Sequence, residues 1–333
     1  MNTKTETARP WQQWEMYRAV TPRNILILFV LFVLLSISAH NTQIDKAFIE
    51  TSKAVLSTIG IGESDVLDGA VRFAKQAFPI QISQRIPTNR LSDFDRNDLP
   101  WFAYLEVAED KQYDALTNTW TVERTEFLVE PIGYLKKVCL KMLETIEMGF
   151  WGTVLSILLS LPLGILASQN YTPHRAVYTF ARGWLSFHRA MPELIIALFL
   201  VLMYGFGPIA GVLALAIHTS GVLGKFFADE IENAPPGPQL ALSSAGAGAL
   251  KVLRYAVFPH VFPAWIAYVQ YIFERNIRTA TVLGIVGAGG IGMELKGRWD
   301  LFDYDHVATI LLAIFITVIL LEYGSQKLRK RAL

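Results

Sequence analysis

The sequence has 333 residues, of which 52% are hydrophobic and only 18% charged. Ordinary soluble domains carry about 25% charged residues, and the shortfall here lies in long apolar runs separated by short charged connectors. This pattern is typical of an α-helical protein that crosses a membrane several times. The net charge of +1 gives no basis for a nucleic-acid partner. The one dense basic run, residues 327–331, is expected at the cytoplasmic flank of a last helix.

The cysteine and histidine pattern argues against a metal site. Cys139 is the only cysteine, which excludes an internal disulfide and a multi-cysteine metal site. The histidines, His218 and His260 among them, are scattered and form no pair at metal-ligand spacing. We therefore expect no metal, no cofactor and no catalytic residue on this chain.

The first apolar run covers residues 24–39 and is short for a span, because a bilayer core needs about 20 residues. A signal peptide is the competing interpretation, with Ser36 and Ser38 flanking a cleavage site. The long polar stretch before the run favours an uncleaved anchor. In either case residue 41 is expected outside and the preceding positive residues inside.

Residues 41–131 are soluble in character and predict a small mixed α/β insert on the extracytoplasmic side, without an assigned function. In residues 132–146, apolar side chains recur at helical spacing, with Lys136, Lys137 and Lys141 on the other face. An interfacial helix and the start of the next span are both open interpretations of this stretch.

Five further spans are predicted at residues 147–167, 177–204, 208–228, 258–283 and 306–323. Residues 229–257 between them are less apolar and carry Lys251 and Arg254, which places them in the cytoplasm. A helix is expected within them, over residues 241–255. With the first span, the prediction is an all-α integral membrane protein with about six transmembrane helices and both termini cytoplasmic. The three lysines of 132–146 are then outside, against the usual charge bias, which is weak for long loops.

Ionisable side chains fall inside two predicted spans. Arg189 and Glu193 are four residues apart, as are Glu274 and Arg278, and Arg275 adjoins Glu274. A spacing of four places both members on one helix face, where they can pair. Charges at mid-span cost about 2.5–3.5 kcal/mol each and therefore face the bundle interior or a wet cavity. They either fix helix packing or line a path for an anion.

A glycine-rich run, with Gly287, Gly289, Gly290 and Gly292, matches G-x-G-x-x-G. A dinucleotide site would need a strand before it and a βαβ unit around it, whereas this run lies between two spans. We predict a broken helix on the outer side, as substrate transporters use. The sequence contains no Walker A motif, so any ATP hydrolysis would need a separate subunit.

Over residues 151–331 the sequence resembles the permease subunits of phosphonate-type ABC importers. The resemblance is carried by residues 273–292, by residues 207–223, and by a match to the cytoplasmic coupling motif formed by Ala241, Gly246, Ala247 and Pro259. It implies the ABC importer permease architecture, a place in the bacterial inner membrane and import of a phosphorus oxoanion.

The resemblance also implies the partners. These are a second copy of the chain, two cytoplasmic ABC ATPase subunits that carry ATP and Mg, and an extracytoplasmic solute-binding protein, all meeting at a subunit held in the lipid bilayer. The segment around Gly246 is expected to dock as a short helix on the ATPase.

The chain departs from this family pattern at two places. Leu240 stands where the coupling motif usually opens with Glu, and the 41–131 insert looks longer than the family's usual outer segment. An ion-coupled secondary transporter is the alternative function, which would share the intramembrane charges and the broken helices. A membrane-anchored enzyme is disfavoured, because the outer insert holds no convincing nucleophile, base or metal cluster.

Overall fold

The computed structural model describes residues 22–59, 62–91, 96, 99–114 and 119–332, with only the backbone for residues 110–114, 119–123 and 328–332. The predicted cytoplasmic N-terminus lies outside the described residues, as do most side chains of the basic run at 327–331. The chain forms two compact units, one up to Ala74 and one from Lys75 onward. The predicted insert of residues 41–131 is therefore divided between them.

The first unit contains α1 (Pro22–Asn41) and α2 (Ile44–Thr58), and α3 (Asp65–Ala77) runs across its boundary. The apolar side chains of α1 are exposed along its whole length. Its 20 residues extend about 30 Å, enough to cross a bilayer core. That α1 is an uncleaved anchor stays a prediction.

The second unit opens with a three-stranded antiparallel sheet in the order β1-β3-β2, formed by β1 (Gln84–Pro87), β2 (Tyr104–Asp114) and β3 (Thr119–Glu130). Leu128 and Val129 of β3 are buried. The residues just before β1 bond to a later helix: the Gln81 carbonyl accepts a hydrogen bond of 2.6 Å from Thr309 Oγ1. The sheet is thereby attached to the helical body.

The helical body contains nine α-helices in the described part of the second unit after the sheet: α4 (Gly133–Leu166), α5 (Arg175–Ala190), α6 (Glu193–Tyr204), α7 (Pro208–Glu232), α8 (Pro236–Ser244), α9 (Ala249–Val252), α10 (Phe258–Ile285), α11 (Gly290–Asp300) and α12 (Tyr304–Ala332). A π-helical turn, Leu253–Val257, joins α9 to α10. Among the described residues, five helical segments are long and apolar enough to cross a membrane, or six if the bent pair α5–α6 is one span. The prediction of an all-α membrane protein is confirmed.

Close approach between helices builds the core around α4, α7 and α10. A Cβ added to Gly152 of α4 would lie 2.8 Å from the Leu215 Cβ of α7. In lipid, burying apolar surface between helices lowers the free energy little, because lipid tails are themselves apolar. Small residues that let two backbones approach closely are therefore a main source of helix association. Gly152 therefore sets the α4–α7 distance.

Helix α5 packs against α7 equally closely. A Cβ on Gly221 would lie 2.6 Å from both the Leu185 carbonyl oxygen and the Arg189 amide nitrogen. Leu185 is buried in this contact, whereas Phe180 and Trp184 on the other face of α5 are exposed. The two helices are therefore in backbone contact over residues 185–189 of α5.

Residues 132–146, left open between an interfacial helix and the start of a span, lie mostly in α4, which runs without a break for 34 residues. The continuous helix favours the second interpretation. At 1.5 Å per residue such a helix is about 51 Å long, which exceeds a bilayer core of about 30 Å.

The single span predicted at 177–204 is wrong in shape, because α5 and α6 meet at an angle of 85°. The cause is Met191–Pro192. Proline has no backbone N–H, and it disfavours helical backbone in the residue before it. Met191 is accordingly extended, with φ −79° and ψ 121°.

The helix predicted over 241–255 is also wrong. The chain forms two short helices, α8 and α9, separated by a turn in which Gly246 has φ +85°. Only glycine adopts this conformation without strain, so Gly246 ends α8 and cannot lie inside one continuous helix.

Gly221→Val should destabilise the protein by about 1–3 kcal/mol, because the added side chain enters the α5 backbone. Gly183→Ala is the matched control, since nothing lies within 4 Å of a Cβ built there and Gly183 is also helical. Thermal unfolding in detergent should show a lower midpoint for Gly221→Val and an unchanged or slightly higher one for Gly183→Ala. Equal midpoints for both variants would contradict the close α5–α7 contact.

Candidate functional site

Ionisable side chains from three helices meet at the bend between α5 and α6. Glu193, the first residue of α6, lies 3.4 Å from Arg275 Nη2 of α10 and 3.5 Å from His218 Nε2 of α7. The three side chains are only 24%, 32% and 10% exposed, in the order Glu193, Arg275 and His218. We call Glu193, His218 and Arg275 the bend cluster.

The hydrogen bonds of His218 fix its tautomer when it is neutral. Its Nδ1 lies 2.9 Å from the Met191 carbonyl oxygen, which can only accept, so Nδ1 carries the proton. Nε2 is then an acceptor for Arg275 Nη2 at 3.3 Å. His218 thus satisfies a carbonyl freed by the bend and also orients the arginine.

Of the two charge pairs predicted at a spacing of four residues, one forms in the structure and the other does not. Glu274 and Arg278 do pair, at 3.1 Å, with Glu274 12% and Arg278 45% exposed. Arg189 and Glu193 do not pair, because the bend separates them into different helices. Arg189 is exposed and has no ion pair among the described residues.

The predicted glycine-rich break lies between α10 and α11. Gly287, Gly289 and Gly290 all have positive φ, at 93°, 85° and 68°. Gly292 lies in the first turn of α11, where a Cβ would enter the Thr281 carbonyl of α10. The helix breaks at this position, and Gly292 permits α10 and α11 to touch.

Side chains of α4 bind the free amides that this break exposes. Glu144 Oε1 accepts a hydrogen bond of 3.0 Å from the Gly290 amide, and Thr145 Oγ1 accepts one of 2.8 Å from the Ile291 amide. The first amides of a helix lack partners within the helix. Here a different helix supplies those partners, so α4 fixes the start of α11.

Two of the three lysines that the predicted topology leaves outside, Lys137 and Lys141, have acidic neighbours. Lys141 Nζ lies 2.6 Å from Glu144, and Lys137 Nζ lies 2.8 Å from Glu294 of α11. Glu294 also pairs with Arg298. These pairs do not remove the violation of the charge bias, because that bias counts lysine and arginine and acidic residues contribute little to it.

A buried polar chain crosses the core without any charge. Asn276 Nδ2 donates to Thr153 Oγ1 at 2.9 Å, and Thr219 Oγ1 donates to Asn276 Oδ1 at 3.0 Å. These hydrogen bonds join α4, α7 and α10, and Asn276 is the residue next to Arg275 in the sequence. Sequence reasoning missed it because single Asn and Thr residues in apolar helices give no spacing signal.

Residues 160–328 match the family model described as the binding-protein-dependent transport system inner membrane component. This stretch covers slightly more than half of the chain and includes the bend cluster and both helix breaks. The chain belongs to this family.

Relatives of this transport component are named for phosphorus oxoanions. HtxE of Stutzerimonas stutzeri, provisionally named a phosphite transport system permease protein, is 48% identical over 258 residues, covering 76% of this chain and 99% of HtxE. The phosphite transport system permease protein PtxC of the same organism is 42% identical over 189 residues, covering 57% of this chain and 69% of PtxC. The phosphate-import permease protein PhnE of Mycolicibacterium smegmatis is 44% identical over 188 residues, 56% of this chain but 35% of PhnE.

Solved ABC transporters share the fold of this permease. A chain of the MetNI methionine ABC transporter, described as inward facing, superposes with a TM-score of 0.52 at 17% identity, covering 59% of this chain and 96% of that one. An amino acid ABC transporter gives a TM-score of 0.51 at 16% identity, covering 60% and 95%. The ABC importer permease architecture expected from the sequence is confirmed.

The coupling segment of the permease, residues 229–257, is exposed over most of its middle part, residues 235–251, and buried at several positions near its ends. Ala241 and Gly246 are exposed, Ala247 is half-buried, and Pro259 is exposed in the first turn of α10. Leu240 and Leu250 are 64% and 81% exposed, although both are large and apolar. Such side chains on a segment expected in the cytoplasm favour a docking surface.

The start of the coupling segment is tied to the α4–α5 loop. Tyr171 Oη donates to Gln239 Oε1 at 2.8 Å, and Gln239 Nε2 donates to the Ala234 carbonyl at 3.0 Å. Burial raises the pKa of the Tyr171 hydroxyl above its usual value, so it stays a donor at neutral pH. These contacts hold α8 against the body of the permease.

Thr145→Val should lower the stability of the permease by about 1–3 kcal/mol, since the buried Ile291 amide would lose its acceptor. Ser160→Ala is the control, because the bond that the Ser160 hydroxyl makes within the described part of the chain goes to the Ile157 carbonyl of its own helix. Thermal unfolding of both variants in detergent measures the difference. A Thr145→Val midpoint no lower than that of Ser160→Ala would contradict the role of α4 in fixing α11.

Proposed function

We propose that this chain is the permease subunit of an ATP-driven importer for a small phosphorus oxoanion of the phosphite or phosphonate class. The observation that carries the proposal is the 48% identity to HtxE over nearly the whole of that relative. A substrate of this class is anionic, and the bend cluster and Arg278 supply positive groups within the apolar helices. Arg guanidinium groups bind such oxyanions through paired N–H donors.

The proposed energy source is a separate pair of ABC ATPase subunits that bind ATP and Mg. The exposed coupling segment, with Leu240 and Leu250 on its surface, supports their docking at this position. An extracytoplasmic binding protein would deliver the substrate. The proposed orientation places both termini and the coupling segment in the cytoplasm, and the sheet outside.

The proposal is tested by co-expressing the chain with a candidate ABC ATPase and a candidate solute-binding protein from the same genome, and reconstituting the purified assembly into vesicles. We expect phosphite uptake that requires ATP and the binding protein and survives collapse of the membrane potential. An assembly without an ATPase, or uptake driven by an ion gradient alone, would contradict the proposal and favour the secondary transporter.

Arg278→Ala should reduce phosphite uptake at least tenfold without preventing assembly with the ATPase. The reason is that Arg278 is nearly half exposed and lies about one turn of α10 beyond Arg275, so the two residues can present two guanidinium groups to an anion. Lys296→Ala is the matched control, because Lys296 forms an i,i+4 pair with Asp300 that resembles the pair of Arg278 with Glu274. Wild-type uptake by Arg278→Ala would assign the residue to helix packing.

The second permease subunit is proposed to be another copy of this chain. HtxE and HtxC, both provisionally named phosphite transport system permease proteins of one organism, are each similar to this chain, at 48% and 40% identity, so a related chain is the other candidate. Two differently tagged copies expressed together should co-purify through either tag if the subunit is a homodimer. Recovery of one tag only, with a related permease chain in its place, would establish a heteromer.

A further inference from the structure

Arg182 of α5 makes more polar contacts than the predicted site residues, and nothing in the sequence pattern singled it out. Its Nη1 lies 2.9 Å from Asp229, its Nη2 lies 3.0 Å from Glu232, and its Nε donates to the Ala167 carbonyl at 2.9 Å. Only a guanidinium group can reach three acceptors in this planar arrangement.

These contacts join three parts of the chain. Ala167 ends α4, Arg182 lies in the middle of α5, and Asp229 and Glu232 lie in the last turn of α7, at the start of the coupling segment. Glu232 also accepts a hydrogen bond of 2.7 Å from the Gln169 amide in the α4–α5 loop. The side chain of Arg182 is 25% exposed and Glu232 27%, so water competes only partly with their attraction.

Helix α5 connects Arg182 to the bend cluster. From Arg182 to Met191, where the bend begins, the chain rises by about 13 Å along α5. Over this distance α5 is in backbone contact with α7 at Gly221, and the His188 ring lies 2.8 Å from Ser220 Oγ. A displacement of α5 near Arg182 would therefore be passed along the helix to the bend, because rearrangement of side chains would absorb little of it.

We propose that Arg182 is the positioning residue that transmits movement of the coupling segment through α5 to the bend cluster. When α8 moves with the ATPase, Asp229 and Glu232 move with it, and Arg182 obliges α5 to follow. This inference rests on the proposed docking of the coupling segment to an ATPase.

The test follows the bend directly and does not depend on the identity of the substrate. In a Cys139→Ser background, Arg189→Cys provides a single thiol in the last turn of α5, and its reaction with a water-soluble maleimide is timed in the purified complex with its ATPase. With Arg182 present, ATP trapped by vanadate should change the labelling rate at least threefold. With Arg182→Ala, the rate should no longer respond to ATP, although ATP hydrolysis continues.

Two further variants separate transmission from folding. Asp229→Asn with Glu232→Gln should abolish the response as Arg182→Ala does, and combining all three changes should add no further loss, because the same contacts are removed. Arg182→Lys keeps the charge but not the planar arrangement, and should retain folding with a weakened response. If Arg182→Ala does not assemble with the ATPase, Arg182→Lys takes its place in the test.

Arg298→Ala is the matched control, because Arg298 also pairs with two carboxylates, Glu294 and Asp303, and is 23% exposed. It should lower the unfolding midpoint as much as Arg182→Ala does, yet keep the ATP-dependent labelling. A full response to ATP in Arg182→Ala, or its loss in Arg298→Ala, would overturn the proposal. Failure of the chain to bind any ATPase, or no ATP response while Arg182 is intact, would instead overturn the proposed function.

Discussion

The fold depends on one constraint: every backbone group released by a break in a membrane helix must find a partner within the protein. Lipid offers no hydrogen bonds, so irregular backbone at membrane depth survives only where protein or a wet cavity satisfies it. Two such breaks lie in the helices that the structure describes, at Met191–Pro192 and at residues 286–289. At the first, His218 binds the Met191 carbonyl. At the second, Glu144 and Thr145 bind the first amides of α11.

The same side chains that satisfy the breaks also place charge and polarity along the helices. His218 serves the Met191 carbonyl with one ring nitrogen and Arg275 with the other, so the shape of the bend and the position of the guanidinium are fixed together. The second break also contacts the α6–α7 turn, because the Gly207 amide, just before α7, bonds to the Gly287 carbonyl at 3.0 Å. A change at the second break would therefore also reach the start of α7.

Sequence reasoning placed the spans well because the hydrophobic requirement of lipid acts on every residue of a span. The predicted 208–228 lies within the observed Pro208–Glu232, and 258–283 within Phe258–Ile285. It missed the bend, since a hydropathy average barely responds to one proline. The i,i+4 rule was right for Glu274 and Arg278, which share a helix, and wrong for Arg189 and Glu193, which do not.

Contacts between helices escaped prediction for a related reason. Arg182 with Glu232, and Glu144 with Gly290, join residues far apart in the chain, and a single sequence carries no periodic signal for such pairs. Yet these contacts decide how the helices can move. Gly221 joins α5 to the middle of α7, and Arg182 joins α5 to the last turn of α7. Helix α6 is held by the 3.4 Å ion pair of Glu193 with Arg275 and by its buried Ile196, Ala197 and Val201, which pack in the apolar core. Both helices therefore pack on α7, and the extended backbone at Met191–Pro192 is the non-helical link between them, so a change of the angle between α5 and α6 would be taken up at that link.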